Sequence, residues 1–197
     1  MTPISASGTR CNVTRLTVLL AATAAVWACD DPYAPRADQA NTNQTFMVAA
    51  LTGTSLDAPA ALQLVSKSIT RIDGSFDFDM AFDIDKQNRP VVLPLGLVGT
   101  PISGSRLVGL LRVTGTFDSV TEAPKSGYVF DSAMVVVPGA VLAVQAQENI
   151  CSMSFTPYIF AKVVIDSLNL GTRRLYGRTL INLNCGFRSL ATGTPTF

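Results

Sequence analysis

Hydrophobic and polar residues alternate along much of the chain from residue 45 onward, which is the pattern of β-strands that bury one face. The alternation is clearest in residues 76–85, where every even position is apolar and most odd positions are aspartate. Further strand-like segments follow, separated by short stretches rich in Gly, Pro, Asn and Asp. The pattern predicts an all-β domain over residues 45–197, arranged as an antiparallel β-sandwich, with a closed β-barrel as the alternative.

The two longest alternating segments, residues 150–166 and 173–187, predict a terminal β-hairpin. If the hairpin centres on Leu168, the apolar odd positions of both arms share one buried face, and Cys151 lies opposite Cys185. Opposed residues of antiparallel strands have Cα atoms about 4.5–5.5 Å apart, which is within the range of a disulfide. The sequence therefore predicts a Cys151–Cys185 disulfide in an oxidising compartment.

The same register brings aromatic and cationic side chains together on the other face of the hairpin. Stacking and cation-π contacts from such a face can bind a glycan, an anionic lipid headgroup or a partner protein. The alternative is that the rings pack beneath a neighbouring loop or against the tether. The predicted surface comprises three cross-strand pairs, Tyr158 with Arg178, Phe160 with Tyr176, and Lys162 with Arg174.

Four aspartates, at positions 77, 79, 83 and 85, are expected to form a solvated face that pairs with Arg or Lys side chains of neighbouring strands. Asp83 and Asp85 come nearest to a metal site, because their spacing resembles the start of an EF-hand loop. Asn88 and Pro94 replace the Gly and Glu that such a loop requires, so no metal site is predicted. Carboxylates on an exposed strand also lack the burial that separates the pKa values of a glycosidase pair.

Composition narrows the possible functions. The chain has no histidine, which excludes Ser-His-Asp and Cys-His catalysis and the usual imidazole zinc sites. No phosphate-binding or nucleophile motif is present, so neither catalytic residues nor a cofactor are predicted. The formal net charge is only +1, which argues against nucleic acid as a partner.

The pattern of the N-terminal region predicts an export signal. Arg10 and Arg15 precede an apolar run over residues 16–25 that ends in small residues. The uncharged stretch ends at Cys29 and is shorter than the roughly 20 apolar residues that a spanning helix needs. We expect a signal peptide over residues 1–28, followed by a flexible polar tether over residues 29–44.

The four residues Val26-Trp27-Ala28-Cys29 resemble the lipobox of bacterial lipoproteins. The resemblance implies a diacylglycerol on Cys29 and anchoring to the inner or outer membrane, facing the periplasm. In lipoproteins of enteric type, an aspartate such as Asp30 directly after the cysteine favours the inner membrane. Val26 and Ala28 also fit an ordinary signal peptidase site, so a soluble periplasmic or secreted protein is the alternative.

These observations predict an exported, lipid-anchored envelope protein that is more a binding or accessory module than an enzyme. Its expected partners are the membrane, through the N-terminal lipid, and a protein of a membrane complex or a cell-wall glycan. Two alternatives stay open: a hydrolase of envelope polysaccharide that uses Asp and Glu, and a calcium-stabilised adhesion domain.

Overall fold

The computed structural model describes residues 35–99 and 106–195. The predicted signal peptide (1–28), the predicted lipidation site Cys29 and the first part of the predicted tether lie outside these ranges. The described residues form ten strands and one short helix. The elements are β1 (Thr42–Ala49), β2 (Ala61–Gln63), β3 (Ser68–Thr70), β4 (Met80–Ile84), β5 (Pro90–Pro94), α1 (Leu95–Val98), β6 (Val108–Val113), β7 (Met134–Val135), β8 (Val141–Gln147), β9 (Tyr158–Asn169) and β10 (Arg174–Asn182).

The strands form two five-stranded antiparallel sheets. The first sheet has the order β1-β10-β9-β8-β6, and the second has the order β3-β2-β4-β5-β7. A hydrophobic core fills the space between them, with large side chains such as Phe78, Phe82, Leu110 and Ile159 fully buried. Burying each such side chain stabilises the fold by about 1.5–3 kcal/mol. The predicted all-β sandwich is thus confirmed, and the described residues do not form the closed barrel that was its alternative.

The first sheet is also covered on its outer face. A second apolar cluster, here called the outer cluster, joins Phe160, Val164 and Leu180 of the sheet to Phe117, Val120 and Leu190 of two irregular segments. Backbone hydrogen bonds tie these two segments to each other. Strand β9 therefore carries buried side chains on both faces, although its sequence alternates as a half-exposed strand would.

The register of the β9–β10 hairpin differs from the prediction. Leu175 lies opposite Leu168, and the register shifts by one residue between Tyr176 and Gly177. A Cβ atom at Gly177 would lie 2.3 Å from the carbonyl oxygen of Val164, so only glycine fits at this bulge. The hairpin therefore turns several residues after Leu168, and the predicted pairing centred on that residue is wrong.

Strand β1 begins inside the predicted tether. Residues 42–44 pair with β10, and the backbone N–H groups of Asp38 and Gln39 both donate to the side chain of Asn184 at 3.0 Å. The end of the predicted tether therefore belongs to the domain, because its backbone donors find acceptors there. In the parts of the chain that the structure describes, no helix has the length and apolar character needed to span a bilayer.

Candidate functional site

A disulfide joins Cys151 to Cys185, as predicted. Its Cα atoms are 5.5 Å apart, but the two cysteines are not partners in a strand ladder. Cys151 ends a 3-10 turn (Asn149–Cys151) between β8 and β9, and Cys185 lies just beyond the end of β10. The predicted bond is therefore confirmed, while the strand pairing that suggested it is wrong. Disulfides persist in oxidising compartments, so the bond is typical of an exported protein.

The disulfide stands at the base of an exposed loop over residues 149–156, here called the apolar loop. Its side chains of Met153 and Phe155 are 97% and 96% exposed, and Ile150 is 52% exposed. The neck of the loop is closed by the backbone N–H of Glu148, which donates to the carbonyl oxygen of Pro157 at 2.9 Å. The alternation had placed Met153 and Phe155 on the buried face of a hairpin arm, and that prediction is wrong because β9 begins only at Tyr158.

The N-terminal side of the domain meets the base of the same loop. Besides accepting from Asp38 and Gln39, Asn184 donates its Nδ2 to the carbonyl oxygen of Gln39 at 2.8 Å. Asn184 directly precedes Cys185, which the disulfide links to Cys151. The chain thus enters the domain beside the apolar loop.

A buried ion cluster ties the two sheets together near the neck of this loop. Arg106, which precedes β6, makes a short charged contact with Asp79 and contacts Glu148 at 2.6 Å from the same Nη2 atom. Its Nη1 atom lies 3.2 Å from the exposed carboxylate of Asp77. Asp79 is fully buried, and its second oxygen accepts the backbone N–H of Leu64 at 2.6 Å. Because Asp79 precedes β4 and Glu148 follows β8, the ion cluster of Asp79, Arg106 and Glu148 links the second sheet to the first.

Burial changes the protonation of this cluster. Desolvation, followed by the charge of Asp79, raises the pKa of Glu148 to about 8. Desolvation also raises the pKa of Asp79, although Arg106 opposes that rise. The two carboxyl groups compete for one guanidinium, so the pair retains a proton near neutral pH and Arg106 balances the remaining negative charge. A buried cluster of this kind is close to neutral as a whole.

The sequence does not predict this cluster. Its alternation places Asp79 on a solvated face with Asp77, Asp83 and Asp85, and that prediction is wrong for Asp79, which is fully buried. The reason is that β4 begins only at Met80, so Asp79 lies in the turn before it and faces Arg106. No local signal distinguishes Asp79 from the neighbouring aspartates, because its partners Arg106 and Glu148 are distant in sequence.

The predicted hairpin surface is not one surface. None of its three cross-strand pairs forms, because Phe160 lies opposite Asn182 and Lys162 lies opposite Leu180. Phe160 and Lys162 are buried in and beside the outer cluster, which agrees with the alternative that these residues pack beneath a loop. Tyr158 is half-buried against the same cluster.

Lys162 is buried and bonded to the segment that covers the sheet. Its Nζ donates to the carbonyl oxygens of Phe117 and Val120 at 2.5 and 2.8 Å, and it lies 4.6 Å from the ring centroid of Phe117. Desolvation lowers the pKa of this amine. The lysine therefore fastens the covering segment to the sheet.

The remaining three residues of the predicted surface are accessible. Arg174 is exposed, and Tyr176 is exposed by about a third of its surface. The guanidinium of Arg178 forms two hydrogen bonds with Asp166, both at 2.9 Å. Tyr176 and Arg178 line a shallow groove together with Met47. A binding role for these residues stays a prediction.

Asp83 and Asp85 use their oxygens within the chain. Asp83 accepts from the backbone N–H and the hydroxyl of Thr52, at 3.0 and 2.9 Å, and lies 3.5 Å from Arg173. Asp85 accepts the backbone N–H groups of Gln87 and Arg89, and its second oxygen pairs with the Arg89 guanidinium at 2.7 Å. Among the residues that the structure describes, no three Cys, Asp or Glu side chains are grouped to hold a metal ion.

Fold and site together define a disulfide-bonded β-sandwich domain with a buried ion cluster and an exposed apolar loop at one end. No protein-family model matches the chain, and no curated protein or solved structure does so either.

Proposed function

We propose that this chain is an exported, lipid-anchored protein of the cell envelope whose β-sandwich acts as a non-catalytic binding or accessory module. The observation that carries the proposal is the Cys151–Cys185 disulfide, because such bonds persist outside the cytosol. The lipobox-like Val26-Trp27-Ala28-Cys29 adds the anchor, and the apolar loop adds a surface suited to binding.

The non-catalytic part of the proposal is supported by the state of the carboxyl groups. A general acid or base must come within hydrogen-bond reach of the substrate. Asp79 is fully buried and Glu148 nearly so, and both are engaged by Arg106. The raised pKa of Glu148 is the feature that favours the alternative of an envelope polysaccharide hydrolase.

The calcium-stabilised adhesion domain is the other alternative. A calcium ion takes six to eight oxygen ligands, with carboxylates among them. The oxygens of Asp83 and Asp85 already accept hydrogen bonds or pair with arginine. We therefore expect the melting temperature to be unchanged by a chelator; a fall of several degrees would favour the adhesion domain.

The anchor is tested by expressing the full chain in a bacterial host with an alkyne fatty acid in the medium. We expect label and the added mass of a diacylglycerol on a product that begins at Cys29, and no label on a Cys29→Ala variant. Cys11→Ala is the matched control, since its thiol lies in the predicted leader and its loss should leave labelling unchanged. A product that still begins at Met1 with free thiols at 151 and 185 would contradict both export and anchoring.

The binding role is tested on the protein in its own cells. Purification of the native protein from gently solubilised membranes should recover a stoichiometric protein or glycan companion. A screen of envelope glycans supplies the opposing result, because turnover that is lost in Glu148→Gln would establish the hydrolase instead.

A further inference from the structure

The apolar loop exposes several large apolar side chains to solvent, and the folding of the domain does not need them to be exposed. Met153 and Phe155 are almost completely exposed, and Ile150 in the same loop is half-exposed. Single exposed apolar residues are ordinary on protein surfaces, but a cluster of them on one loop marks an interaction site. The cluster includes Phe, which is well suited to partial insertion into a membrane interface.

The loop is held in this exposed arrangement from its base. The disulfide fixes Cys151 to the end of β10, and the Glu148–Pro157 hydrogen bond closes the neck. The side chain of Glu148 is in turn held by Arg106 in the ion cluster. The disulfide and the hydrogen bond at the neck thus fix the loop at its base, while Met153 and Phe155 stay exposed between them.

The occupant is indicated by where the chain enters the domain. The backbone of Asp38 is hydrogen-bonded to Asn184, next to the disulfide, and Asp38 lies nine positions after Cys29. Nine positions span at most about 30 Å, at about 3.3 Å per residue. A lipid on Cys29 would hold this end of the domain within that distance of the bilayer.

The chemistry of the loop agrees with a lipid surface. Residues 149–161 contain no charged side chain, so the loop can enter the interface without removing a charge from water. The nearest charges along the chain, Glu148 and Lys162, are both buried. The remaining exposed side chains of the loop are polar but uncharged, at Asn149, Ser152, Ser154 and Thr156.

We propose that the apolar loop is a second membrane contact: Ile150, Met153 and Phe155 insert into the interface of the bilayer that holds the lipid on Cys29. This inference rests on the proposed function, because it takes the lipidation of Cys29 as given. Two contacts at one end of the domain would fix its orientation relative to the bilayer, which a flexible tether alone would not do.

The test uses tryptophan fluorescence, because Trp27 is the only tryptophan of the chain and lies in the predicted leader. The full chain carrying Phe155→Trp is expressed, purified as the lipidated product and reconstituted into phosphatidylcholine vesicles. Leu56→Trp is the matched control, since Leu56 is 90% exposed and far from the loop in sequence. We expect emission from position 155 to shift to the blue, and brominated acyl chains to quench it at least twofold more than the control.

The outcomes separate the inference from the proposed function. If mass analysis finds the lipid on Cys29 but position 155 stays unquenched and accessible to aqueous acrylamide, the loop contact is refuted and the anchor stands. If no lipid is found, the proposed function fails and this inference fails with it. Protection of position 155 in native membranes but not in pure lipid vesicles would also refute it, in favour of a protein partner.

Discussion

The buried carboxyl pair predicts an unusual dependence of stability on pH. A carboxyl group whose pKa is higher in the folded protein than in the unfolded chain stabilises the fold while it stays protonated. That contribution is complete below the unfolded pKa and is lost as the pH rises through the folded pKa. For Glu148 the window runs from 4.5 to about 8. The domain should therefore lose stability as the pH rises from weakly acidic to weakly alkaline.

The magnitude follows from the proton balance. Within this window the folded pair holds one proton more than the unfolded chain, and each pH unit then changes the free energy of unfolding by about 1.4 kcal/mol. Between pH 6 and pH 8 the loss is about 2–3 kcal/mol. For a domain of this size, the melting temperature should fall by about 4–12 °C. Because the chain has no histidine, no ordinary imidazole titration obscures this effect.

The assay is thermal unfolding of the wild type and of Glu148→Gln at intervals from pH 5.5 to pH 8.5. Glutamine imitates the protonated carboxyl group and still offers an oxygen to Arg106, so the variant should lose the slope and match or exceed the wild type above pH 8. Glu122→Gln is the control, because Glu122 is exposed and pairs with Arg188 at the surface. A wild-type melting temperature that is constant from pH 6 to pH 8, or an unchanged slope in Glu148→Gln, would refute the reasoning.

Three further predictions concern stability. Replacing Cys151 and Cys185 together by serine should lower the free energy of unfolding in urea by about 3–4 kcal/mol, since the bond closes a loop with a sequence separation of 34 residues. A reductant should lower the stability of the wild type by the same amount and leave the stability of the variant unchanged. Lys162→Met should cost about 1–3 kcal/mol by leaving two buried carbonyl oxygens without a donor, and a neutral result in the same titration would contradict its fastening role. Gly177→Ala should lower the free energy of unfolding by at least about 1–3 kcal/mol, because the new Cβ would meet a backbone carbonyl. Gly74→Ala, with open space around it, is the control and should change that free energy by no more than about 0.5 kcal/mol. Equal melting temperatures for the two variants would refute the clash.

The sequence predicted the parts of the fold that depend only on the alternation of apolar and polar residues within one strand. Alternation in residues 80–84 correctly placed Met80, Phe82 and Ile84 in the core, because β4 has one face toward the opposite sheet. Alternation with a period of two residues shows which side chains share a face of a strand, but it does not show which strand pairs with it. The register of the hairpin therefore depended on the turn and on the bulge at Gly177, and neither has a distinctive sequence signal.

The candidate site was less accessible to sequence reasoning. Phe160 and Lys162 seemed to form an exposed face because nothing in their own strand records the segment around Phe117 that covers them. Asp79 and Glu148 are brought together only by the packing of the two sheets, through an arginine between them in sequence. Long-range contacts of this kind leave no local pattern, so burial and the resulting pKa shifts could not be anticipated.

The pairing of β1 has a mechanical consequence. Immediately after its attachment at Asn184, the chain enters β1, whose eight residues all pair with β10. A force pulling on the N-terminal end along the strand axis loads these pairs together in shear, so no single pair can open ahead of the rest. Pulling apart the ends of the β9–β10 hairpin would instead unzip its pairs in succession. If the domain is anchored at its N-terminal end as proposed, a force on the anchor directed along β1 acts on the strand pairing in the direction in which it is strongest.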